Sequence, residues 1–108
     1  MMREITESDW KILRQLHTEA LERFCQQILL EIEGINSDGT KSFHQKYLEI
    51  YELTRRRDKE MANIFDDLRR STALTTIAAL KASGLLTEDE FLRFNQETQQ
   101  IINFLLGS

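Results

Sequence analysis

The stretch DDLRRSTALTTIAALKASG, residues 66–84, decides how this chain is read. Charged residues make up 30% of the protein, yet none falls between Ser71 and Leu80. Small and aliphatic side chains stand there instead. Leu74, Ile77, Ala78 and Leu80 leave a helix in different directions, so the apolar surface wraps most of the way round. A helix that is apolar on every side must be buried on every side. The small Ala, Ser and Thr side chains also let another helix approach closely.

The surrounding sequence sets the fold class as all-α. The 108 residues contain no proline to break a helix and no valine to favour a strand. No segment alternates apolar and polar with a period of two. The length suits one helical domain over 1–108.

Four helices are expected, at about 8–33, 42–83, 88–94 and 96–106. In the first, Trp10, Leu13, Leu16, His17, Ala20, Leu21, Phe24, Ile28 and Ile32 recur at spacings of three and four. Thr6 or Ser8 opens it and Gly34 is the expected stop. INSDGTKS, residues 35–42, is a loop of turn formers, and Ser42 with Gln45 forms a capping box for the second helix. From Phe43 to Ser83 nothing interrupts, which predicts one rod of roughly 60 Å, with Ser71–Thr72 the place for any kink. Thr87 with Glu90 caps a short third helix, and Asn95 caps the fourth. The turn GLLTEDEFLRF, residues 84–94, resembles the opening of the helical hairpin in SHOCT-like modules. The likeness is confined to those residues and consists of capping chemistry, so no function is carried over from it.

A short loop between the first two helices predicts an antiparallel hairpin with one very long second helix. Folding at Asp38 places Phe24 near Tyr51 and Leu13 near Met61 to Phe65. The first helix then runs out opposite Leu68, and the uncharged segment overhangs. Leu74, Ile77, Ala78 and Leu80 are therefore the candidate interface. A second copy of the chain is the expected cover, giving a dimeric helical bundle. Cover by the two short C-terminal helices, leaving a monomer, is the alternative.

The chemistry-bearing residues are sparse. The loop GINSDGTKSFHQ, residues 34–45, imitates a calcium-binding loop, but set in register it lacks both the leading Asp and the final Glu. His17 and His44 have no Glu three residues away and are not a pair four apart, so di-iron and zinc-protease patterns are absent. No Gly-rich loop precedes a helix. No cofactor or metal is expected, and no catalytic constellation, so the chain is not read as an enzyme. Arg14, His17 and Asp58 form a candidate polar cluster, brought together by the hairpin to fix its register or line a cleft. Arg57, Arg14 and Glu31 intrude on apolar stripes and need partners.

Arg55, Arg56, Lys59, Arg69 and Arg70 are the candidate basic surface. Acids are interleaved with them, and Glu52–Arg56 and Asp66–Arg70 stand four apart in the favourable order. The Arg55–Arg57 run therefore reads as a solvated, self-paired face. The net charge of −4 also weighs against broad nucleic-acid binding. Cys25 is the one cysteine, no apolar run follows Met1, and no apolar stretch can span a bilayer. A cytoplasmic protein without a membrane segment is expected. The function expected is that of a homodimeric binding or scaffold module. A nucleic-acid-associated regulator using the basic positions is the alternative.

Overall fold

The computed structural model describes residues 5–107, and within them every regular element is helical. α1 spans Glu7–Asn36, α2 Phe43–Phe65, α3 Ala73–Ala82, α4 Glu88–Phe91 and α5 Gln96–Leu105, with a 3₁₀ turn at Arg70–Thr72 before α3. Four N-terminal caps form where the sequence places them. Thr6 Oγ1 accepts from Asp9 N at 3.1 Å, Ser42 and Thr87 close capping boxes with Gln45 and Glu90, and Asn95 accepts from Thr98 N. Each satisfies backbone N–H groups that the first helical turn leaves without partners.

The helix ends depart from expectation in small ways. α1 runs through Gly34 and stops at Asn36, with the Ser37 N–H bonded to Glu33 O. Gly34 takes no positive φ, so it does not act as a stop. Gly84 does, at φ +71°. Its N–H reaches Lys81 O while that of Leu85 reaches Leu80 O, and these two bonds satisfy the last carbonyls of α3. α4 ends at Phe91, three residues before the expected 94, and α5 at Leu105.

The main correction concerns the long rod. The helix expected over 42–83 breaks after Phe65, and Asp66 to Arg69 are non-helical. Locally, Thr72 Oγ1 donates to Asp67 O at 2.9 Å and accepts from Arg69 N at 3.3 Å. The Arg69 guanidinium turns back on Asp67. Asp and Thr compete in this way with helical backbone bonding. Arg70 then donates to Glu7 at 2.7 Å and to Ile5 O at 3.2 Å, which ties the new turn to the start of α1. The deeper reason is burial. A continuous rod would leave an all-apolar segment in water, whereas the break swings α3 against α1, α2 and α5.

The proposed interface is therefore corrected as well. Ile77 and Leu80 are fully buried, and Leu74 and Ala78 nearly so, inside a core built by one chain. Leu13, Leu16, Ala20 and Phe24 of α1, Phe65, Leu85, Phe91, Phe94 and Ile102 share that core. These four α3 side chains present almost no surface to a second copy. Burying Leu74, Ile77 and Leu80 is worth about 1.5–3 kcal/mol each, enough to outweigh the few helical bonds lost at the break.

The register between α1 and α2 is also shifted. Phe24 lies against Phe65, ring centroids 5.7 Å apart, and not beside Tyr51. The connection over residues 37–42 lets α2 slide outward along α1. Beyond Phe24 no residue of α1 is buried, and α2 buries only Leu53 and Phe65. This outer part of the two helices is the arm; the rest of the chain forms the body. The molecule measures 53 × 25 × 24 Å.

Candidate interaction surface

A charged network joins the two helices of the arm. Arg57 donates to Glu31 on α1 and, at 2.8 Å, to Glu60 on its own helix. Its guanidinium stands over the Phe24 ring, 5.4 Å from the centroid. The Glu31 carboxylate, ahead of Glu60, raises the Arg57 pKa. Two of the three charges that intrude on apolar stripes, Arg57 and Glu31, thus meet each other, while Arg14 lines an open cleft elsewhere on α1. Arg57 is largely buried, so the solvated reading of the whole Arg55–Arg57 run holds only for its first two members.

The two long flanks of the arm differ. On one, Glu31 and Ile35 of α1 and Leu48, Glu49, Glu52, Leu53 and Arg56 of α2 line an open groove of about 550 Å³ with a mixed-charge rim. Helical spacing sends Leu29 and Ile32 off the other side of α1, and Phe43, Tyr47 and Tyr51 off that same side of α2. Exposed leucines, Leu48 on the first flank and Leu30, occur elsewhere on the arm too, but the arm's exposed aromatic side chains gather on the second flank. Phe43 is 89% exposed, Tyr47 65%, Leu29 63% and Tyr51 52%. Singly they would be ordinary, but gathered on one flank they mark an interaction surface.

The basic positions do not gather into a patch. Arg55 pairs with Glu52 at 3.0 Å, Arg69 with Asp67 at 2.7 Å and Arg70 with Glu7 at 2.7 Å. The helix break carries Arg70 away from Asp66, its expected partner. Arg56 is exposed on the groove rim, and Lys59 is exposed further along α2.

Arg14 and His17 do come together, with Lys11, Gln15, Thr18 and Leu68, along an open cleft. Asp58 is not part of it. It is exposed on α2, and no hydrogen bond or ion pair joins it to either residue. The His17 ring stands edge-on to Phe65 at 5.1 Å, and its Nε2 is buried with no hydrogen-bond partner among the described residues. The shift in register that moves Phe65 beside α1 also moves Asp58 outward.

Two buried polar contacts in the body escape sequence reading. Glu90, the third residue of a capping box, also accepts both terminal nitrogens of Arg23, at 2.6 and 2.7 Å. Asp9, read as a first-turn acid, is buried and accepts from Thr98 Oγ1 at 2.7 Å and from Asn95 N at 3.1 Å. Only the burial of an acid at a cap position could have flagged them, and burial is a tertiary property.

Cys25 is a half-buried free thiol. Among the described residues no cluster of His, Cys, Asp or Glu could hold a metal ion, and no helix is long and apolar enough to cross a membrane. No family model, curated protein or solved structure matches this chain.

Proposed function

We propose that this chain is a small cytoplasmic interaction module, a scaffold or docking piece that works by holding a macromolecule against its arm. One observation carries the reading: Leu29, Phe43, Tyr47 and Tyr51 are each more than half exposed although the chain has a full core elsewhere. Covering such side chains is the ordinary driving force of association. The body supports this role as a rigid base, with its caps closed and its buried acids paired. The nucleic-acid reading is weaker, because acids already hold Arg55, Arg69 and Arg70.

Photo-crosslinking inside the cell tests the proposal. A photoreactive residue at position 47 should trap a discrete adduct, and the same residue at exposed Gln100 should not. No adduct from position 47, or equal adducts from both, would remove the arm as the working surface.

A further inference from the structure

Building on that reading, we infer that the partner on this flank is a second copy of the chain, α1 of each lying on α2 of the other in a four-helix bundle. A pair of helices with one bare apolar face is half of such a bundle. The exposed parts of Leu29, Phe43, Tyr47 and Tyr51 come to on the order of 600 Å² per copy. Two copies reach the lower end of the roughly 1,200–2,000 Å² that stable interfaces bury. The flank is self-complementary in shape as well. Its aliphatic side, Leu29 and Ile32, meets the aromatic side headed by Tyr51 when the two-fold axis runs along the arm.

Charge selects the same arrangement. Helical spacing puts Glu33 at the outer margin of α1 and Arg55 at the outer margin of α2. Laying α1 on α2 brings Glu33 of one copy beside Arg55 of the other, whose exposed pair with Glu52 on its own helix leaves guanidinium nitrogens for a second acid. Turning the second copy end over end would set α1 on α1, acid margin against acid margin. The bulk of the body lies off the opposite flank, where Arg23 reaches Glu90, so the bodies do not obstruct the approach.

Sedimentation equilibrium on the intact chain tests this. The wild type should run at twice the 12.7 kDa chain mass, and the Leu29→Glu, Tyr47→Glu double variant at the chain mass with an unchanged helical signal. Glu33→Lys and Arg55→Glu should each weaken the dimer by about 3- to 10-fold, since symmetry repeats the contact, and together restore it. A wild type that stays at the chain mass at high concentration overturns the second copy. If position 47 still crosslinks in cells, the interaction reading survives that result. A double variant that still dimerises places the contact elsewhere and also overturns the inference. Charge reversal without restoration overturns the α1-on-α2 arrangement. Should the double variant lose helical signal, amide exchange of the wild type decides instead. Protection of residues 28–33 and 43–54 that rises with concentration supports the dimer, and concentration-independent exchange rejects it.

Discussion

Arg23 and Glu90 meet in a bidentate ion pair across 67 positions of sequence, and Arg23 Nη1 also donates to Leu85 O at 2.9 Å. The Glu90 side chain is almost wholly buried, and its Oε1 accepts from Thr87 N as well. One carboxylate therefore closes the cap of α4 and clamps that helix to α1. The hydrogen bonds from Arg23 are the first cause holding its pKa at about 2, below an ordinary 4.5.

That shift predicts an acid-sensitive clamp. A depressed folded-state pKa contributes stability that is complete above about pH 4.5 and is lost as pH falls toward 2. Glu90→Gln should cost about 2–4 kcal/mol at neutral pH, because it removes the buried anion of Arg23 and leaves only the exposed Glu19 carboxylate, 3.8 Å away. The gap in Tm between wild type and variant should narrow across that acid window. A gap independent of pH would mean the clamp contributes nothing through its charge.

Asp9→Ala removes the acceptor for both Thr98 Oγ1 and Asn95 N, two groups from the start of α5. Stranding them should cost about 2–3 kcal/mol. Urea unfolding measures it, and Thr98→Val added to Asp9→Ala should cost little more, since the two changes delete one interaction.

Ile77→Ala should destabilise the single chain by about 2–5 kcal/mol, the usual range for a large side chain deleted from a closed core. The loss should be the same at low and high protein concentration. An effect confined to the oligomer would return α3 to an interface.

Arg57 and Arg55 should part company despite standing two residues apart. Arg55→Gln removes an exposed ion pair and should change the unfolding free energy in urea by ~0–1 kcal/mol. Arg57→Gln breaks a part-buried network joining α1 to α2 and should cost about 1–2 kcal/mol. Equal small losses would show that the arm is held by apolar contact alone.

The sequence by itself determined the helical class, the caps at Thr6, Ser42, Thr87 and Asn95, and the loop before Ser42, although α1 runs two residues into the stretch read as loop. Those features depend on neighbours three or four residues away, whose chemistry is visible in the string. It also marked Arg57 and Glu31 as charges in need of partners, because periodicity placed them within apolar stripes. The tertiary structure alone decided where α2 ends. Nothing in residues 66–69 forbids a helix; the break follows from α3 gaining a core that exists only once α1, α4 and α5 have assembled. It likewise decided that Leu74, Ile77, Ala78 and Leu80 face inward, that Asp9 and Glu90 bind side chains far along the sequence, and that Leu29, Phe43, Tyr47 and Tyr51 stay bare on the arm. An all-apolar segment announces that it will be buried, but what buries it depends on the path of the whole chain.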